Sequence, residues 1–288
     1  MILNILQSFL SIALELTLLF IFISFVINLV QGFIPYDKLN DYLNGKNSFL
    51  GILVAIALAF ITPFCSCSTI PVVVNLLNKN VRFGIVMIFL FASPVLDPTI
   101  MTLMGALLGV KVAIIYTIIT TILSIVIGLV LEKLGFSKSV KKVMMTGFDE
   151  SHQKFSLKSA WKETVNLMKS VYVYLILGAA IGSVIHGLVP TRWISSTFGG
   201  SSWWLVPIAA IIGIPLYIRL STMIPLSQIL IVKGMAIGPV MALMISSAGA
   251  SLPELTLLHS IFEKKLVTAF ILSVISMATI SGFLFYII

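Results

Sequence analysis

The chain has 288 residues, of which 59% are hydrophobic and only 10% charged, with a formal net charge of +8. Soluble domains carry about 25% charge and about 45–50% apolar residues, and the excess here cannot be hidden in one core whose surface still needs polar cover. A cytosolic enzyme, a disordered tail and a secreted disulfide scaffold are excluded, and the sequence reads as an all-α polytopic membrane protein.

A crossing needs roughly 20 apolar residues. Eight transmembrane helices are predicted, at about 4–34, 48–78, 83–109, 111–132, 164–190, 203–232, 236–260 and 266–287. The first lacks a basic n-region and an A-x-A site and is too long for a signal peptide, so it reads as a crossing. The second is interrupted by TPFCSCSTIP (62–71) and the third by FASPVLDPT (91–99). Residues 133–163 break the apolar pattern with seven lysines, among them Lys138, Lys141 and Lys142. Basic loops stay in the cytoplasm. With four crossings on each side of this linker, both termini are expected in the cytoplasm as well. The basic residues lie between apolar runs, so they speak for membrane orientation and not for nucleic acid. The sixth span is interrupted by GIPLYIRLSTMIP (213–225) and the seventh by ISSAGASLPE (245–254).

The two halves repeat each other. VQGFIP (30–35) matches IHGLVP (185–190) at a shift of 155, and the stretch from STIP (68–71) to Gly84 matches TMIP (222–225) to Gly238 at 154. The expected organisation is a first transmembrane repeat (1–132), a basic cytoplasmic linker (133–163) and a second transmembrane repeat (164–288). Four crossings a half imply parallel repeats, and a re-entrant hairpin in each half would change that count. Duplicated transporters bind substrate between their repeats near the midplane, at broken helices. Irregular backbone at that depth is tolerated only where it is buried or lines a cavity.

The interruptions carry the candidate site. In an unwound stretch between Pro63 and Pro71, alternate side chains fall on one side, so Cys65 and Cys67 can face one soft centre that thiolates prefer. Ser66, Ser68 and Thr69 add hydroxyls beside them. Asp97, between Pro94 and Pro98, is an ionisable group at a depth where charge is expensive and usually functional. Arg219 is its counterpart by sign in the second half, with Ser221 and Thr222 next to it. Glu254 lies close to the position that repeats Asp97, and Pro253 is matched to Pro98. No Walker A loop, G-x-S-x-G or H-E-x-x-H motif is present, and no metal site or cofactor is implied.

PFCSCSTIP followed by ASPVLDPT, in two duplicated halves of four spans, resembles the predicted permease family that includes the ArsP organoarsenical exporters. The resemblance implies a polytopic inner-membrane permease, with Cys65 and Cys67 as a thiol pair for a trivalent organoarsenical. The second half departs from that family: after GIPLY (213–217) a further cysteine is expected and I-R-L-S-T stands instead, where Arg219 points to an anionic group on the solute. The expected activity is export of a small thiol-reactive or anionic solute by alternating access, with small-molecule substrate and lipid as partners and an open oligomeric state. The alternatives are a membrane thiol–disulfide enzyme using Cys65 and Cys67, or a non-transporting partner subunit.

Overall fold

The computed structural model describes residues 48–61, 66–78, 80–141, 203–216, 220–232 and 234–287, with isolated positions between 10 and 21 and between 161 and 176. The spans expected at 4–34 and 164–190, and the linker beyond Lys141, lie outside the described residues. The helices of the first half are α1 (Ser48–Ile61), α2 (Ser66–Asn78), α3 (Phe83–Ala92), α4 (Pro98–Leu107) and α5 (Val110–Lys133), and a 3-10 turn follows at Phe136–Ser139. Those of the second half are α6 (Leu205–Leu216), α7 (Leu220–Val232), α8 (Ile237–Gly249), α9 (Leu252–Ile261) and α10 (Lys264–Ile287). Among the described residues all regular structure is helical, apart from one antiparallel bridge between Val140 and Phe262.

Among the described residues only α5 and α10 are long and apolar enough to cross a membrane unaided, at 24 residues each, or about 36 Å at 1.5 Å per residue. The pair α8 and α9, bent by 46°, adds one if it is a single broken span. The surface of α5 is inverted relative to a soluble helix. Val110, Ile114, Ile118, Ile122, Val126 and Val130 recur every four residues on its exposed face. Its buried face carries Ala113, Tyr116, Thr120, Ser124 and Gly128. Small and hydroxylic residues inside, with large aliphatic ones outside, are what a helix bundle in lipid requires. α3 is apolar throughout and buried at every position, as an all-round hydrophobic helix must be.

The long helices run antiparallel. One apolar core joins Leu131, near the end of α5, with Leu266 and Phe270, near the start of α10. A second core joins Ala113 and Tyr116 with Met277 and Phe285, at the opposite ends of the same two helices. The bridge from Val140 to Phe262 lies at the first of these ends, called here the linker end. α10 starts beside Val140 and runs the length of α5 away from it.

Each core draws on both halves. The linker-end core takes α1, α2 and α3 from the first half and α9 from the second. The far-end core takes α6, α7 and α8 from the second half and α4 from the first. In keeping with this exchange, α9 packs on α2 and α4 packs on α7.

Helix bounds also match across the halves. α2 and α7 start at 66 and 220, α4 and α9 at 98 and 252, and α5 and α10 at 110 and 264, always 154 apart. This register pairs Asp97 with Ser251, so Pro253 stands one residue deeper in its helix than Pro98. Turn chemistry repeats at the same offset. α2 ends with Asn80 at φ 56° and α7 with Gly234 at φ 93°, residue types that tolerate the left-handed region. In both, paired reverse hydrogen bonds close the helix: Asn80 N–H to Leu77 O and Val81 N–H to Leu76 O, then Gly234 N–H to Ile231 O and Met235 N–H to Leu230 O. This is the Schellman pattern, which satisfies the last carbonyls.

The crossing of α3 with α5 recurs as that of α8 with α10. A Cβ on Gly128 would stand 2.9 Å from the Gly84 carbonyl oxygen, and one on Gly282 would stand 2.9 Å from that of Gly238. Overpacking a close crossing costs about 1–3 kcal/mol, so Gly282→Val should lower the melting temperature of the detergent-purified chain. Gly105→Ala, whose new Cβ would meet only Ala113 at 3.9 Å, should leave it within a degree or two.

Candidate functional site

Contacts along the long helices fix the depth of the helix breaks. The Thr117 hydroxyl of α5 donates to Met101 Sδ of α4 at 3.4 Å, and Gly105 faces Ala113. α4 therefore starts near the middle of α5 and ends at its far end. In the second half Gly249, the last residue of α8, faces Val274, and α9 runs from there to the linker end. Each of these pairs, α3–α4 and α8–α9, is a path across the bundle interrupted halfway.

α6 and α7 behave differently. Val206 near the start of α6 meets Gly282, which also meets Gly238 and Ala242 of α8; Gly213, seven residues on, meets Leu243 and Ser246. α6 thus runs parallel to α8, from the far end inward, and Ile214 at its tip already belongs to the linker-end core. α7 then returns to the far end, where Gln228 Nε2 donates to Leu107 O at 2.6 Å and the Gly234 turn leads into α8. α6 and α7 form a hairpin that enters and leaves at one end. α1 packs on α3 as α6 packs on α8, and both α1 and α2 belong to the linker-end core. The start of α2, beside Ser93 at the end of α3, and the end of α6 at Ile214 accordingly lie within the bundle.

The candidate residues divide by what can be described. Cys65 and Arg219 lie outside the described residues. Ser66, Cys67 and Ser68 occupy the first turn of α2, so the stretch expected to be unwound up to Pro71 is helical from Ser66 onward and the alternation argued for an extended backbone does not apply there; Ser221 and Thr222 occupy the first turn of α7. The side chains of these five residues are outside the description. Thr69 is buried and its hydroxyl lies 3.4 Å from that of Ser93, which links the start of α2 to the end of α3. Asp97 is half-buried immediately before α4, and its carbonyl accepts from Met101 N–H at 3.0 Å. Four short helices, α2, α4, α7 and α9, start at inner breaks, and helix starts carry the positive end of the dipole and attract electron-rich groups.

Sequence reasoning missed Ser93 and the role of Ser251. Ser251 Oγ accepts from Glu254 N–H at 3.4 Å, and Glu254 Oε2 accepts from Ser251 N–H at 3.3 Å. This is a capping box, legible in the spelling S-L-P-E because Ser and Glu three apart satisfy each other's amide.

The two ends of the bundle differ. At the far end a cavity of about 420 Å³ opens between α4, α7 and α8, lined by Leu107, Leu108, Gln228, Val232 and Ile237 among others. The positions 154 residues away are closed. Ile237 is 40% exposed and its counterpart Phe83 is 7%, while Ile261 and Phe262, the counterparts of Leu107 and Leu108, are buried. A strap seals the linker end: Lys141 N–H donates to Ile261 O, Glu263 N–H donates to Ser139 O, and Lys141 Nζ donates to the His259 carbonyl. Arg82 Nε also donates to Glu132 Oε1 there at 2.7 Å, tying α3 to α5. Among the described residues nothing equivalent covers the far end.

No solved structure matches the chain. It is 30% identical over 128 residues to UPF0718 protein MJ0584 of Methanocaldococcus jannaschii, a match over 44% of this chain and 35% of that one. The chain thus spans about a third of that relative's length. It is 25% identical to UPF0718 protein YraQ of Escherichia coli K12 over 83% of this chain and 68% of that one. The family model described as ArsP_1, predicted permease, matches residues 1–287, so a bundle with lipid-compatible faces and broken inner helices belongs to the ArsP_1 predicted permease family.

Proposed function

We propose that the chain is a permease that moves a small thiol-reactive or anionic solute by alternating access of two inverted repeats, each built of three crossings and one half-membrane hairpin. The observation that carries this reading is the contrast between matched ends. The same positions line an open cavity at the far end and are buried at the linker end, as one frame of an alternating-access cycle requires. The 154-residue offset, the repeated glycine crossing and the repeated helix caps support the duplication. The antiparallel run of α5 and α10 supports a two-fold axis in the bilayer plane, in place of the parallel arrangement that four crossings a half would give.

Charge supports the same topology. With hairpins in place of two crossings, Lys38, Lys46, Lys79, Arg82, Lys264 and Lys265 join the linker's lysines on one side, and Lys111, Arg192 and Lys233 are left on the other. With eight crossings, Lys38, Lys46, Lys264 and Lys265 would oppose the linker. A basic bias of this kind marks the cytoplasmic face, so the linker is inside and the termini are outside. With the native cysteines replaced by serine, Ile288→Cys should react with an impermeant maleimide added to intact cells, and Ser139→Cys should react only after lysis. Equal labelling from one side would contradict the inverted arrangement.

The site of this reading lies between the hairpin tips. Cys65 and Cys67, with Ser66, Ser68 and Thr69, hold the solute from one tip, Asp97 flanks it, and Arg219, Ser221 and Thr222 face it from the other. A monosubstituted trivalent arsenical has two exchangeable positions, which two thiols fill. Export is the direction that accords with a thiol-reactive toxicant. A thiol–disulfide enzyme would need thiols within reach of a partner protein, whereas α2 begins at mid-depth. In everted vesicles carrying the chain, Cys65→Ser and Cys67→Ser should each reduce uptake of a trivalent organoarsenical at least to a tenth, and unchanged uptake would remove the thiols from the site. Arg219→Ala should impair uptake and be partly restored by Asp97→Asn, because a lone charge at that depth costs several kcal/mol. A double variant no better than the single would refute the pairing.

A further inference from the structure

We propose that residues 136–141, the strap beyond α5, are a releasable latch over a second mouth of the bundle, the linker-end counterpart of the open cavity. Leu107, Leu108, Val112, Gln228, Ile237 and Val240 line that cavity. At the 154-residue offset they correspond to Ile261, Phe262, Leu266, Val74, Phe83 and Val86, and all six of these are buried. The linker end therefore holds an equivalent ring of positions, all apolar and packed shut.

The strap is fastened to two members of that ring. Val140 bridges to Phe262, and Lys141 N–H donates to Ile261 O at 2.9 Å. Glu263 N–H donates to Ser139 O at 2.9 Å, and Lys141 Nζ donates to the His259 carbonyl. These bonds join the chain just beyond α5 to the corner between α9 and α10, so the corner cannot leave the end of α5 while they hold.

The same strap is lightly attached elsewhere. Gly135, at φ 77°, turns the chain where α5 ends, in a left-handed conformation that glycine adopts without strain. Phe136 and Val140 are only half-buried against the linker-end core, and Ser137 and Lys138 between them are exposed. The polar fastening is confined to 139–141. Its acceptor Ile261 O stands at the end of α9, where a carbonyl needs a partner from outside the helix. The matching carbonyl at the open end, that of Leu107, takes a side-chain donor, Gln228 Nε2, at 2.6 Å. A buried carbonyl stripped of its donor is costly, so the strap lets go only when water reaches Ile261. Release of the latch and wetting of the linker-end mouth are one event. The inference rests on the alternating-access reading only for what the opened mouth does to the far end; the latch itself is tested without transport.

The test uses the full chain in lipid nanodiscs, with the native cysteines replaced by serine, and follows the rate at which single cysteines react with a water-soluble maleimide. Val74→Cys reports the linker-end ring and Ile237→Cys the open cavity. Lys141→Pro removes the donor to Ile261 and suits the extended backbone of Val140 before it. It should raise the rate at Val74→Cys by about tenfold, because one net hydrogen bond is worth up to that factor in an equilibrium. The opposite variant, Ser139→Cys with Glu263→Cys, should lock the latch. Opposed residues of an antiparallel pair stand about 4.5–5.5 Å apart between Cα atoms, within disulfide reach, and these two side chains alternate with the inward-facing Val140 and Phe262. Once oxidised, the pair should slow labelling at Val74→Cys severalfold relative to its own reduced form. A pair that does not crosslink, or a crosslink that leaves the rate unchanged, overturns the latch whatever Lys141→Pro does to overall stability, and so does an unchanged rate in Lys141→Pro. Alternating access further requires Lys141→Pro to slow Ile237→Cys. A rate there that does not fall, with both Val74→Cys responses as expected, leaves the latch standing and removes the alternating-access reading.

Discussion

A backbone amide or carbonyl in hydrocarbon has no water to bond, and this constraint shapes the molecule from end to end. α5 and α10 meet it in the simplest way, as unbroken helices of 24 residues whose exposed faces are aliphatic. The other described helices are short and start or stop partway across the bundle, where their terminal groups must be buried or matched. The box at Ser251 and Glu254 and the Thr69–Ser93 contact meet that need. Polar residues in an apolar chain are concentrated where the backbone is interrupted.

Exchange of α4 and α9 between the two cores couples the halves mechanically. α4 is joined to the first half by a break of five residues, 93–97, yet its side chains pack in the far-end core on α7. α9 does the reverse on α2. The glycine crossings make α3–α5 and α8–α10 the stiff parts, because backbone meets backbone there and no side chain can rearrange to absorb a shift.

The difference between the ends is notable because the residues on the two sides are so alike. Leu107 and Ile261, or Ile237 and Phe83, are equivalent apolar positions, and hydrophobicity alone would bury both. What distinguishes them is the strap at Ser139–Lys141, which uses main-chain hydrogen bonds to Ile261 and Glu263 to close the linker end. A seal made from a few hydrogen bonds and the packing of Phe262 is modest, since each bond contributes only about 0.5–1.5 kcal/mol net.

The amino-acid sequence by itself determined that the chain is helical and apolar, where its apolar runs are interrupted, and the 154-residue offset at which its short motifs recur. These are local properties: proline removes an amide from a helix, and Gly, Asn and Lys recur at fixed spacing in an otherwise uniform background. The unwound stretch expected between Pro63 and Pro71 did not follow: from Ser66 onward those residues, Cys67 and Thr69 among them, are the first turns of α2. The path of the chain after each break did not follow either. A proline-broken run of thirty apolar residues has the same composition whether it continues across the bundle, as α3–α4 does, or turns back, as α6–α7 does. Only the contacts of Val206 with Gly282 and of Gly213 with Ser246 decide between them. The return of α7 to the far end and the exchange of α4 and α9 were likewise out of reach, because they arise from packing between residues far apart in the chain.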